Sequence, residues 1–157
     1  MPKYGEFLYG ETQYGSEQLW IYNRKQSDLK NNTKKAFINY QDLNRIETRM
    51  SELTALLNQY LYVQSITTKT DWEKVTNSNF ATNTPTLSHI NRLHDNEQKL
   101  INAFFVYPTT PTLPVTFEYL DIYRMNNVEK ILRDLYMMVL DMVSYFRECD
   151  TFYCGED

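Results

Sequence analysis

Asp42-Leu43-Asn44-Arg45-Ile46-Glu47 opens the stretch that decides the fold of this chain. From Leu43 onward, apolar residues recur at steps of three and four, which places them on one face of an α-helix. Asp42 or Asn44 can accept hydrogen bonds from the free N–H groups of the first turn, and Glu47 suits the positive end of a helix. The pattern predicts an amphipathic helix over residues 42–61, with an apolar face of Leu43, Ile46, Met50, Leu53, Leu57, Tyr60 and Leu61.

The same pattern recurs twice further along the chain. Pro85-Thr86 is a typical helix start, so a second helix is expected from Thr86 to about Phe105. A third and more apolar helix is expected from Asn126 to about Arg147. We therefore predict a mainly α-helical fold, a bundle of about three amphipathic helices over residues 39–157. The predicted core includes Leu43, Ile46, Leu53, Ile90, Leu93, Val128 and Leu132.

The first residues have a different character. Tyr-Gly pairs recur at 4–5, 9–10 and 14–15, and they hold three of the four glycines of the chain. Glycine interrupts helices while tyrosine favours extended backbone, so we predict an extended arm. Such an arm either is disordered in isolation or docks on another protein, and we favour docking because tyrosine anchors are typical of interfaces. The predicted partner-binding residues are Tyr4, Gly5, Tyr9, Gly10, Tyr14, Gly15 and Trp20.

Two connecting stretches complete the predicted organisation. Residues 19–22 are a short apolar segment, expected to form a strand or an anchor onto the bundle. The basic run that follows lacks the glycines of a phosphate loop, so a solvated linker is the favoured interpretation, and residues 1–38 are assigned to the arm and its linker. Prolines at 108, 111 and 114 predict an extended, Pro-rich connector between the second and third helices. The basic residues are Arg24, Lys25, Lys30, Lys34 and Lys35.

The composition argues against several classes of protein. Of the 157 residues, 42% are hydrophobic and 15% aromatic, which is enough for one compact domain with a core. The formal net charge of −4 argues against a nucleic-acid partner, which requires a basic surface. Apolar runs such as 103–107 and 137–140 are too short to cross a membrane, and no signal peptide is recognisable. We expect cytoplasmic synthesis and no membrane partner.

The histidines and cysteines do not form a metal-site pattern. His89 and His94 are five residues apart, so a helix would turn the second ring roughly 140° away from the first and could not offer both to one ion. Surface histidines are the favoured interpretation. Cys149 and Cys154 are the only cysteines, and two free thiols are favoured over a local disulfide.

No other pattern predicts catalysis. Carboxylate pairs such as Glu47 with Glu52 are of the kind that solvated helix faces carry routinely, and nothing around them predicts a raised pKa. The chain lacks a Gly-x-Ser-x-Gly elbow, a phosphate loop and a dinucleotide fingerprint. We therefore expect a protein that is not an enzyme, with no catalytic residues, no metal, no cofactor and no small-molecule substrate.

Several short motifs together resemble those of small structural proteins from the tails of phages and prophages of Gram-positive bacteria. The hexapeptide at 42–47, followed by Leu53, resembles the DLNRIE helix that is common in tail, baseplate and fibre-associated proteins of these phages. The resemblance covers residues 4 to about 140. Its other segments are the Tyr-Gly-Glu repeats, Trp72, Pro85-Thr86, Ile90-Asn91-Arg92-Leu93, Pro108 to Pro114, and Asn127 to Leu132.

This resemblance implies a structural adaptor of a tail baseplate or fibre attachment apparatus, in a virion or in a phage-tail-like bacteriocin particle. It also implies other tail proteins as partners and a homo-oligomer with the threefold or sixfold symmetry of a tail. The chain adds no fibre or carbohydrate-binding domain before Asp157, which favours an adaptor. Two alternatives remain: a tail-tip module that binds a receptor or cell-wall saccharide through Trp72 and loop tyrosines, and a small cytoplasmic regulator that binds a partner helix.

Overall fold

The computed structural model describes residues 20–33, 38–61, 65–117 and 119–152, with side chains up to Tyr145. These ranges contain helices and connecting segments, and no strand is found within them. The prediction of a mainly α-helical fold is therefore confirmed. The helices are α1 (Gln26–Lys30), α2 (Tyr40–Leu57), α3 (Phe80–Asn83), α4 (Leu87–Ala103) and α5 (Ile122–Phe152).

Helix α2 begins with a capping box that starts before the hexapeptide. The Asn39 side chain accepts from the N–H groups of Gln41 (2.8 Å) and Asp42 (3.2 Å), and the Asp42 carboxylate accepts from the Asn39 N–H (3.1 Å). The expected start at Asp42 was thus too late, because an asparagine upstream supplies the cap. The expected end at residue 61 was also wrong, since the helix stops at Leu57 and a turn follows.

The other two long helices are close to their predicted positions. Helix α4 begins directly after Thr86, as expected, and ends slightly before the expected Phe105. Helix α5 is longer than predicted at both ends, and the Asp121 carboxylate accepts from the Arg124 N–H (2.7 Å) at its start. Within the described ranges, none of the helices has the length and apolar character that a membrane crossing requires.

Helices α2, α4 and α5 pack against one another in all three pairs, around a single core. Of the predicted core residues, all are buried except Ile90, which is partly buried and packs against the same core. Trp72 and Phe117, from the segments between helices, complete it. The prediction of a three-helix core is confirmed, and α5 contributes the most side chains: Met125, Val128, Ile131, Leu132, Leu135 and Val139.

The Pro-rich connector is non-helical, as predicted, and follows the surface of the bundle. Thr110 Oγ1 donates to Asp134 Oδ2 on α5 (2.7 Å), and a ring nitrogen of His94 on α4 lies 2.7 Å from the Pro114 carbonyl oxygen. The His94 ring also meets Phe117 edge-on at 5.0 Å. The expectation of a surface His94 was therefore wrong, because this ring attaches the connector to α4 and only 13% of its side chain is exposed.

Candidate functional site

Four charged side chains form an ion cluster between α2, α5 and the segment before α1. Nη2 of Arg24, a side chain with no exposed area, donates to Asp42 Oδ1 (3.1 Å) and Glu129 Oε1 (2.9 Å). Nη2 of Arg45 donates to the same two oxygens, at 2.7 Å in each case. Burial by itself would lower the pKa of Arg45, but Glu129 and Asp42 outweigh burial and raise that pKa. Two cations therefore balance two carboxylates in a nearly dry site.

The ion cluster also fixes the backbone of the segment that precedes α1. The Ile21 N–H donates to Glu129 Oε2 (2.6 Å), and the Arg24 guanidinium donates to the Ile21 carbonyl. Asn126 on α5 accepts from the Arg24 N–H (3.0 Å) and donates to the Arg24 carbonyl (2.8 Å). These contacts correct the expectation of a solvated linker at Arg24. Two buried carboxylates need a second cation, and Arg24 supplies it.

Trp20 is the one predicted partner-binding residue that lies within the described ranges. Its ring centroid is 6.2 Å from that of Tyr136 on α5, and the Arg49 guanidinium lies 5.7 Å from the ring. Of the two interpretations of residues 19–22, the anchor onto the bundle is the one that Trp20 fits. Trp20 keeps part of its area exposed, so its contact with a partner stays a prediction. The other six predicted residues, Tyr4, Gly5, Tyr9, Gly10, Tyr14 and Gly15, lie outside the described residues.

A second buried centre joins α2 to α4 through Glu47. This carboxylate has no exposed area and accepts hydrogen bonds from Trp72 Nε1 (3.0 Å), the Lys69 N–H and the Arg92 guanidinium on α4. The His89 ring meets Trp72 edge-on at 5.0 Å. The expectation of a solvated Glu47 was wrong, because the carboxylate is the common acceptor for two donors from the segment at 65–72 and one from α4.

Two asparagines attach the segment at 65–72 to the helices. Asn44 on α2 donates to the Trp72 carbonyl and accepts from the Trp72 N–H, both at 2.8 Å. Asn96 on α4 donates to the Thr67 carbonyl (2.8 Å) and accepts from the Thr67 N–H (3.4 Å). Each amide satisfies both backbone groups of one residue, as a neighbouring strand would. Asn44 therefore attaches a loop, whereas the cap of α2 is Asn39.

Replacing Asn44 with Ala is expected to lower the free energy of unfolding by about 1–3 kcal/mol, because the Trp72 N–H and carbonyl lose their partners beside a buried indole. Urea denaturation followed by circular dichroism measures this loss. Asn91→Ala is the matched control, since Asn91 is exposed on α4, and it is expected to change the free energy by less than about 0.5 kcal/mol. Equal losses in the two variants would show that water replaces the Asn44 amide without cost.

The saccharide-binding alternative depends on Trp72 as a stacking platform, and the structure contradicts that role. Trp72 is only 3% exposed, and Lys69 Nζ lies 4.9 Å from its ring centroid. A sugar ring needs an open aromatic face, which this indole does not present. Of the tyrosines outside the helices, Tyr60 and Tyr119 are exposed, and their binding to a saccharide stays a prediction.

The remaining candidate residues have structural contacts. His89 Nδ1 accepts from the Thr86 N–H (3.1 Å) at the start of α4, and His89 stays partly exposed, which agrees with the expected surface position. Burial, and then the charge of Arg92, lower the pKa of His89, which favours the neutral ring that can accept this bond. In the part of the chain that is described, no group of three His, Cys, Asp or Glu side chains could hold a metal ion. The side chains of Cys149 and Cys154 lie outside the description.

The roles of Arg24, Asn126 and Glu129 were not among the predictions from the sequence. A signal for Glu129 was present, because it lies on the apolar face of the third helix, four residues after Met125 and three before Leu132. A carboxylate at such a position is buried only when it is paired. Arg24 gave a weaker signal, as the only arginine in a basic run that otherwise consists of lysines.

Comparisons of the chain with protein-family models, with curated proteins and with solved structures find no significant match. The features that characterise this protein are therefore those of its own fold. It is a helical scaffold in which two buried polar centres connect α2, α4, α5 and the segments between them.

Proposed function

We propose that this protein is a structural adaptor of a phage or phage-like tail, in the baseplate or fibre attachment apparatus. One observation carries the proposal: seven side chains of the resembling motifs converge on the two buried centres and the asparagine contact beside them. Every one of these side chains holds another element of the same chain. The residues are Asp42, Asn44, Arg45 and Glu47 of the hexapeptide, with Trp72, Arg92 and Glu129 from the other segments.

A rigid bundle suits an adaptor because load from one partner has to reach another without deforming the component. The ion cluster and Asn126 hold Ile21 and Arg24 against α2 and α5, within the linker that follows the predicted arm. An arm that docks on a neighbouring tail protein would therefore pull on the core through Trp20 and Arg24. The resemblance, rather than any residue, implies packing against further copies of the chain with the threefold or sixfold symmetry of a tail. Exposed apolar side chains available for such contacts are Phe80, Leu87, Phe105 and Val115.

The arm is tested by deleting residues 1–15 and producing the chain in a strain that assembles the particles. We expect the full-length chain to co-purify with particles in a fixed ratio and the truncated chain to remain in the lysate. Mass spectrometry of purified particles measures the ratio, and electron microscopy shows whether the tails are complete. Normal incorporation of the truncated chain would rule out the arm as the anchor. Absence of the full-length chain from particles would contradict the adaptor role itself.

A point-substitution series separates tyrosine anchoring from loss of chain length. Tyr4, Tyr9 and Tyr14 are replaced together by serine, and the matched control replaces Tyr60, Tyr123 and Tyr145, which are exposed on the bundle. If tyrosine anchors dock the arm, the first triple variant loses incorporation by at least tenfold and the control does not. Normal incorporation of the first triple variant, together with loss of cell-wall binding by the control variant, would favour the saccharide-binding alternative.

A further inference from the structure

Helix α4 carries a buried carboxyl group, that of Glu97, which forms no ion pair with the described residues. Glu97 has no exposed area, and among the described residues neither of its carboxyl oxygens has a hydrogen-bond partner. It lies on the same face of α4 as Leu93 and Leu100, which are core residues on the turns before and after it. An ionised carboxylate without a partner is too costly in such a place, so the group has to carry a proton when the core is closed.

Among the described residues, the charged groups of the elements that pack against α4 have partners other than Glu97. The buried titratable groups on α2 and α5, which pack against α4, are held within the ion cluster, by Arg92 or by Lys130. Partly buried groups on α4 and on the adjoining segments also have other partners. The buried groups are Asp42, Glu47, Glu129 and Asp134. The partly buried groups, each given with its partner, are Lys69 with Asp71, His94 with Pro114, Lys99 with Ser65 and Tyr107 with Asp141.

We propose that Glu97 is a proton-dependent latch: α4 packs fully against α2 and α5 only while Glu97 is protonated, and loss of the proton loosens α4. The proposal is independent of the adaptor role. Glu97 thereby makes the packing of α4 sensitive to alkaline pH, a response that a surface carboxylate would not give.

The direction of the pH effect follows from burial. Burial raises the pKa of Glu97 from the ordinary value of 4.5 to about 8. Below the lower value both the folded and the unfolded chain hold the proton, and the stability is complete. Between the two values the unfolded chain releases the proton and the folded chain keeps it, so the stability falls as the pH rises. Above about 8 the carboxyl group is ionised in both states, and the loss through Glu97 is complete.

The test is urea unfolding of the full chain at a series of pH values from about 5.5 to 9.5. In the region between the two pKa values, one released proton increases the unfolding equilibrium constant by about tenfold per pH unit. Glu97→Gln is expected to remove this dependence, so the difference between wild type and variant grows by about 100-fold over two pH units. Asp95→Asn is the matched control, because Asp95 is exposed on the same helix, and it is expected to keep the wild-type slope.

A second variant covers the case in which Glu97→Gln folds poorly. Glu97→Met fills a similar volume without polar atoms, and it is expected to show the same flat profile. Hydrogen exchange of α4 amides gives an independent readout, since the wild-type exchange should accelerate between about pH 7 and 9 beyond the intrinsic effect of pH, and the Glu97→Met exchange should not. Slopes in both variants equal to that of the wild type, or lower stability than the wild type at pH 9, would overturn the proposal.

Discussion

Replacing Arg24 with Met is expected to lower the free energy of unfolding by about 3–5 kcal/mol, the range found when one partner of a buried ion pair is removed. Arg45 alone would then face the carboxylates of Asp42 and Glu129, and the cluster would hold an excess negative charge. The Ile21 carbonyl would lose its guanidinium donor as well. Because Met restores much of the buried volume, the loss measures charge and hydrogen bonding more than packing. Urea denaturation followed by the helix signal in circular dichroism gives the value.

Three further variants make the Arg24 prediction specific. Lys25→Met is the matched control, because Lys25 is the next residue and is exposed, and it is expected to change the free energy by less than about 0.5 kcal/mol. Arg24→Lys keeps the charge but loses the planar fork that reaches two carboxylates, so an intermediate loss is expected. Adding Glu129→Gln to Arg24→Met should recover part of the loss, since it removes the excess charge. A loss below about 1 kcal/mol for Arg24→Met would contradict a buried, charge-balanced cluster.

Replacing Glu47 with Ala should also cost about 3–5 kcal/mol, and it should disrupt a different part of the molecule. The substitution leaves the Trp72 indole N–H, the Lys69 N–H and the Arg92 guanidinium without their common acceptor. Of the two tryptophans in the chain, Trp72 contacts Glu47, so its fluorescence is expected to shift toward that of an exposed indole. Arg24→Met, in contrast, is expected to change the environment of Trp20 first.

The control for Glu47 is another glutamate on α2. Glu52 is about half exposed and pairs with Arg49 at the surface, so Glu52→Ala is expected to cost less than about 1 kcal/mol. Glu47→Gln keeps one oxygen acceptor for the indole and should lose less than Glu47→Ala. If Glu47→Ala and Glu52→Ala proved equally mild, the Glu47 centre would not hold α2 and α4 together.

The two substitutions test different contacts within the bundle. Arg24 joins the segment before α1 to α2 and α5, whereas Glu47 joins α2 to α4 and to the segment at 65–72. Their effects on stability should therefore add when the variants are combined, because the two centres share no side chain. A strongly non-additive result would show that the two centres are coupled through α2, the helix to which both belong.

Periodicity in the sequence predicted the helical part of the fold well. Leu43, Ile46 and Leu53 recur at helical spacing and are buried, because a helix of this kind is stable only when its apolar face is covered. The start of α4 after Thr86 was equally predictable, since proline and threonine favour helix starts through their local effects on the backbone. The prolines at 108, 111 and 114 likewise excluded a helix by themselves.

The candidate site was much less predictable, because the partners of its residues are far apart in the chain. Glu47 has the local pattern of a helix-surface carboxylate, yet its partners are Trp72 and Arg92. Arg24 belongs to a run of basic residues, yet its partners include Asp42 and Glu129. The residues next to Glu47 and Arg24 in the sequence do not indicate which partners they bind, since an ion pair depends on distance in space.

The sequence by itself thus determined which three long segments are helical, which of their apolar residues form the core and where the chain cannot be helical, but it did not predict the short helices α1 and α3. These properties depend on neighbours within a few positions, and spacing alone expresses them. Only the tertiary structure decided which polar side chains are buried and what each of them holds. Burying a charge is favourable only when a partner of opposite sign arrives from elsewhere in the fold, and the packing of α2, α4 and α5 brings those partners together.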